Sequence, residues 1–142
     1  LDEMRAALGL VQLKSLAEKN AERQRLTSFY RESLKDLVQI EIPFLKAPEG
    51  SACHLFPILL RKPEKRADFM LALSRQGIQT SIHYPPAHMF SYYRSLLNPC
   101  FHRLPLTEVV CAREVTLPLF AGMSQEQLGL VVRAVQTFFN YD

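Results

Sequence analysis

Residues 77–88 read GIQTSIHYPPAH, a stretch that gathers two imidazoles, a phenol and two hydroxyl side chains around a pair of prolines. His83 and His88 are natural candidates for metal ligation. A helix would bring ligands four apart onto one face, but here the spacing is five and Pro85 and Pro86 break any helix between them. No carboxylate or cysteine cluster lies nearby to complete a metal site. Ser81 and the cysteines sit in no G-x-S-x-G elbow, so a nucleophilic triad is not indicated. With 5 glycines in the chain and no G-x-G-x-x-G or Walker-type loop, a glycine-rich phosphate cradle is absent as well. What remains is a binding corner. The prolines fix two φ angles, so the side chains before them lose little entropy when a ligand arrives. The same residues would also serve as a stiff crossover without a ligand, and residue types alone favour that simpler reading.

The elements that must position this corner are legible in outline. Apolar residues recur at helical spacing from Asp2 to about Val38, through Met4, Leu8, Val11, Leu26, Tyr30 and Leu34, which predicts one long helix or two in series. The polar run EKNAERQR at 18–25 is the expected place for a kink, and Ala6, Ala7 and Gly9 would let a second body approach closely. VQIEI at 38–42 and CHLFPILL at 53–60 read as strands, with Pro57 requiring an edge or a bulge because it has no N–H for a ladder. Pro63 suits a first helical turn, and Gly77 stands where a left-handed residue would stop the helix carrying Phe69, Met70 and Leu73. IQTSIH is then expected to be a strand that ends in the corner. MFSYYRSLL and TEVVCAREV read as short helices, and TLPL as a strand. Ser124 and Gln127 form a capping box, with Met123 and Leu128 as its hydrophobic staple, ahead of a helix burying Val131, Val132, Val135, Phe138 and Phe139. The predicted fold class is α+β: a long N-terminal helix followed by a small, mainly antiparallel sheet covered by helices.

The composition narrows the partners. A chain of 142 residues with 48% hydrophobic content can fill one core. Seventeen basic against 14 acidic side chains leave +3, and apart from RKPEKR the basic residues are scattered, so nucleic acid is not expected. No apolar run approaches the roughly 18 residues of a membrane span, and no membrane partner is expected. Cys53, Cys100 and Cys111 show no CxxC spacing and read as reduced thiols in a cytoplasmic protein. The chain opens on Leu1 with a helical pattern already running, as a segment of something longer would.

Three segments in order, LDEMRAALGLVQL at 1–13, GIQTSIHYPPAH at 77–88 and TLPLFAGMSQEQ at 116–127, resemble the DegT/StrS-type aminotransferases. The resemblance covers essentially the whole chain. It implies the C-terminal small domain, over residues 1–142, of a fold type I enzyme that uses pyridoxal phosphate to move an amino group, usually from glutamate, onto a keto-sugar carried by a nucleoside diphosphate. It implies a homodimer and a substrate-contacting role for His83 and Tyr84, with His88 a more structural companion. The family's cofactor-bearing lysine lies upstream of the helix opened here. The six lysines, at 14, 19, 35, 46, 62 and 65, match no such position, so no catalytic or cofactor-binding residue is expected in this chain, which alone should be inactive. Two other readings keep the resemblance: a sugar dehydratase, in which histidine replaces that lysine, and a non-catalytic regulatory or interaction module.

Overall fold

The computed structural model describes residues 2–44, 50–96 and 103–140; Lys46, Leu97 and Cys100 lie outside them. The chain opens with α1 (Glu3–Lys14), whose N-cap Asp2 accepts the Arg5 N–H at 2.9 Å. The helix breaks at Ser15, where the N–H and Oγ both turn to the Gln12 carbonyl, and resumes as α2 (Leu16–Leu34). The kink therefore falls three residues before the polar run 18–25, which is helical. A serine hydroxyl competing for a local carbonyl interrupts a helix, whereas glutamate, arginine and glutamine propagate one. No residue of α1 is buried, and Met4, Leu8 and Val11 stand 84, 60 and 62% exposed. In α2 only the second half meets the core, through Leu26, Thr27, Tyr30 and Leu34.

The sheet has three antiparallel strands, β1 (Ile40–Glu41), β2 (Phe56–Leu60) and β3 (Glu114–Leu117), in that spatial order. β2 is central, yet it contains Pro57. Thr116 exchanges both backbone hydrogen bonds with Ser81 on the far edge (3.2 and 2.8 Å), so its pairing with Pro57 is of the non-hydrogen-bonded kind and Pro57's nitrogen faces away from β3. On that other side β1 pairs only with Leu59 and Leu60. Pro57 is thus at an edge in all but strand order.

The strand expected at 78–83 does not form; a single bridge, Ser81 to Thr116, stands in its place. The register says why. The next hydrogen-bonded pairs of that ladder would be Gln79 with Pro118 and His83 with Glu114. Pro118 has no N–H, and its carbonyl accepts the Tyr30 hydroxyl at 2.8 Å. The His83 N–H is taken by the Glu114 carboxylate rather than by its backbone, at 2.9 Å. β3 also begins two residues earlier than expected, directly after α5 (Pro105–Arg113). Arg113 ties the junction down by donating to the Leu60 carbonyl at 2.8 Å and to Glu41 at 2.9 Å.

Helices cover the sheet. A 3-10 turn (Pro63–Lys65) leads into α3 (Arg66–Ser74), and a second one (Ala87–Met89) leads into α4 (Ser91–Leu96). The last helix, α6 (Gln125–Asn140), starts on the expected capping box: Gln127 Oε1 accepts the Ser124 N–H at 2.9 Å and Ser124 Oγ accepts the Gln127 N–H at 3.2 Å. Its face of Leu128, Val131, Val132, Val135 and Phe139 joins Leu26, Tyr30, Ile58, Phe69, Leu73 and Val115 in one core. Burial pushes the Tyr30 phenol pKa well above its ordinary value.

α3 ends in a Schellman arrangement that aims the chain at the corner. The Gly77 N–H donates to Ser74 O (2.9 Å) and the Ile78 N–H to Leu73 O (3.0 Å), with Gly77 at φ +74°. A Cβ at Gly77 would meet nothing within 4 Å, so the left-handed backbone alone sets the cost of adding one. Gly77→Ala is expected to lower stability by about 1–2 kcal/mol, read as a shift in the urea midpoint at unchanged m-value.

Candidate functional site

The second and third sequence segments converge on one open groove of about 570 Å³, whose lining includes Thr80, Ser81 and His83 from one and Thr116, Phe120 and Gln127 from the other. They meet because Ser81 pairs with Thr116 at the free edge of β3, and because the turn after Pro118 leads straight to the start of α6. His54 and Leu55, just ahead of β2, close a further side. Among the described residues, no lysine, arginine, aspartate or glutamate lines the groove. Its chemistry is that of hydroxyls, amides and imidazoles on an apolar floor.

His83 is held at three points. Its N–H donates to Glu114 Oε2 at 2.9 Å, its Nδ1 lies 2.9 Å from Thr116 Oγ1, and Ser81 Oγ stands 3.5 Å from the same ring nitrogen. The Thr116 hydroxyl in turn donates to Glu114 Oε1 at 2.5 Å. Tyr84 is different: it is 70% exposed, its ring packs edge-on against His83 with centroids 5.1 Å apart, and it does not line the groove. The predicted pair is therefore adjacent but points to different surroundings. His88 is the buried residue of the second 3-10 turn, where its Nε2 donates to Glu108 Oε1 at 3.1 Å. Glu108 also accepts the Leu104 N–H at 3.1 Å, and these two hydrogen bonds, that from His88 foremost, hold its carboxyl below the usual range. His88 thus links the corner to the first turn of α5, away from the groove.

Sequence reasoning passed over Glu114, Thr116 and His54. The signal for the first two was the alternation in EVTL, which sets Glu114 and Thr116 on one face and the core residues Val115 and Leu117 on the other. Reading Glu114 as the end of a helix hid it. Among the described residues, no group of three or more histidine, cysteine, aspartate or glutamate side chains could hold a metal ion.

The model of the DegT/DnrJ/EryC1/StrS aminotransferase family matches residues 1–136. The chain belongs to this family. Among its curated relatives, the dTDP-3-amino-3,6-dideoxy-alpha-D-galactopyranose transaminase of Aneurinibacillus thermoaerophilus is 32% identical over 97% of this chain and 36% of its own length. An uncharacterized protein of Methanocaldococcus jannaschii is 30% identical over 96% of this chain and 36% of its own. Of the solved structures, S. venezuelae DesV superposes with a TM-score of 0.87 at 31% identity, over 97% of this chain and 36% of that one. Helicobacter pylori PseC, an aminotransferase of pseudoaminic acid biosynthesis, gives 0.86 at 27%, over 100% and 38%. The chain thus spans little more than a third of the proteins it matches.

Pyridoxal phosphate, the cofactor the family implies, finds no lysine for its aldehyde among the described residues that line the groove. A lysine that attacks a carbonyl needs a lowered pKa, and Lys35 shows the reverse: its hydrogen bond to the Glu32 carboxylate raises it. Lys19 donates to Gln12 at 3.0 Å, and Lys14 and Lys62 are exposed. Among the described residues, the groove offers no lysine or arginine for a phosphate.

Proposed function

We propose that this chain is the substrate-side small domain of a pyridoxal-phosphate-dependent sugar aminotransferase, and that its groove receives the sugar end of a nucleotide-linked keto-sugar. The observation that carries the reading is the convergence of GIQTSIHYPPAH and TLPLFAGMSQ on one groove whose described lining has hydrogen-bonding groups and apolar surface but no lysine or arginine. Such a lining suits sugar hydroxyls. A diphosphate would need cations, which other parts of the protein must supply, as they must supply the cofactor lysine. The cofactor contributes the electron sink for moving the amino group. This chain binds and orients: His83 offers a ring nitrogen to a sugar hydroxyl, Tyr84 offers a phenol on the adjoining surface, and the apolar floor excludes water. Glutamate is the proposed amino donor. In this reading the whole protein is a cytoplasmic homodimer, and the chain by itself is inactive. The exposed Met4, Leu8 and Val11 of α1 are then a face for the large domain to cover.

The test is made on the intact protein that carries this chain. It is supplied with pyridoxal phosphate, glutamate and dTDP-linked 3-keto and 4-keto 6-deoxyhexoses, and the products are read by mass spectrometry. A glutamate-dependent amino-sugar nucleotide is expected. A deoxygenated sugar without nitrogen would instead establish the dehydratase, and a folded, cofactor-loaded protein that converts none of these keto-sugars would overturn the reading.

A further inference from the structure

Two buried polar residues of β3 have no part in the fold's hydrophobic packing. Glu114 and Thr116 are 5 and 6% exposed and lie on the strand face opposite the core residues Val115 and Leu117. A buried carboxylate is costly unless its oxygens are hydrogen-bonded, and both are: Oε2 accepts the His83 N–H at 2.9 Å and Oε1 accepts the Thr116 hydroxyl at 2.5 Å. The direction of the second bond decides the next one. A hydroxyl has a single proton, and Thr116 gives it to the carboxylate, which can only accept. Thr116 Oγ1 must then accept at its contact with His83 Nδ1, 2.9 Å away. The proton on the neutral imidazole is therefore placed on Nδ1. Nε2, which makes no hydrogen bond to the described residues, keeps its lone pair.

We propose that Glu114 and Thr116 are positioning residues that lock His83 as the Nδ1–H tautomer, so that Nε2 is offered to the groove as an acceptor. Resting on the reading of His83 as a substrate contact, this adds a specificity: the matching ligand atom is a donor, a sugar hydroxyl or N–H, and neither a keto oxygen nor a phosphate oxygen. The arrangement is a relay of orientation from the carboxylate through the hydroxyl to the ring. Glu114 secures the same residue twice, once through the His83 backbone and once through its side chain by way of Thr116. An unclamped neutral imidazole would populate both tautomers, and the Nε2–H form would meet a donor hydroxyl with a donor.

The experiment labels the intact protein with 15N-histidine and reads the ring nitrogens of His83 above the pH at which the ring titrates, with a His83→Gln protein to assign the signals. Wild type is expected to show a protonated Nδ1 and an unprotonated Nε2. Thr116→Val, which keeps the strand-compatible shape and removes the hydroxyl, should mix the tautomers and raise KM for the nucleotide sugar about fivefold to tenfold, more than it lowers kcat. Thr116→Ser should restore both readouts. Should Thr116→Val fail to fold, Glu114→Gln serves: its amide can donate to Thr116 and turn the relay around, moving the proton to Nε2. A wild-type ring in the Nε2–H form, or a tautomer unmoved by these variants, overturns the proposal whatever the kinetics. A tautomer that shifts while KM does not overturns instead the reading of His83 as a substrate contact, leaving the clamp itself established.

Discussion

Phe69→Ala is expected to lower the free energy of unfolding by about 3–5 kcal/mol, a large share of the roughly 5–15 kcal/mol that a domain has in total. Phe69 is 0% exposed on α3, edge-on to Phe138 at 5.2 Å and stacked on Phe139 at 5.3 Å, both on α6. Whether a truncated site costs the lower or the upper figure depends on how far its walls can close. Here they are held. The turn at Pro63 sets the start of α3 and the Schellman arrangement at Gly77 sets its end, while the Ser124–Gln127 box fixes the start of α6. The ring's space therefore stays largely open, and the upper half of the range is expected in urea denaturation. Phe69→Leu, which refills most of that space, should cost much less. If both variants cost the same small amount, α3 is free to slide against α6 and is not the rigid lead-in that aims Ile78 and Ser81 at the groove.

The parts of this fold that were legible in the sequence are those decided by local chemistry. Ser124, Gln127, Met123 and Leu128 announce the start of α6 within six residues, and Gly77 announces the end of α3, because capping is a matter of nearest neighbours along the chain. The corner at His83 was legible as a place, since two prolines restrict the backbone whatever surrounds it. What was not legible depends on partners far away in sequence. IQTSIH alternates like a strand, and it fails to become one because Pro118 brings no N–H and Glu114 answers with its side chain. No pattern within 78–83 carries that information. The same holds for the clamp: Thr116 and Glu114 are 33 and 31 residues from His83, and only the pairing of Ser81 with Thr116 brings them together. The break at Ser15 is a subtler miss, because polarity at 18–25 measures what faces water and not where a helix ends.

For function, the largest effect is expected from His83→Ala in the intact protein, which should weaken binding of the nucleotide sugar by about 1–3 kcal/mol, roughly 5- to 150-fold. Tyr84→Phe should act on the same step at the lower end of that range, since a neutral hydroxyl contributes less than a group at the centre of a network. The structure separates the two variants in another respect. Tyr84 is 70% exposed, and its hydroxyl makes no hydrogen bond to the described residues, so its removal should leave stability unchanged. The loss of His83 releases the Thr116 contact and costs some stability as well, which is why binding and unfolding must be measured on the same preparations. The decisive comparison uses the two half-reactions. Amino transfer from glutamate to the cofactor needs no sugar, and in the proposed reading neither residue touches the cofactor, so stopped-flow absorbance should show that step little altered in both variants. Transfer to the keto-sugar should show the full loss. If instead the glutamate step collapses while the nucleotide sugar binds as before, the corner serves the cofactor or the fold. A groove whose described lining has no lysine or arginine would then have to be explained by something other than a sugar.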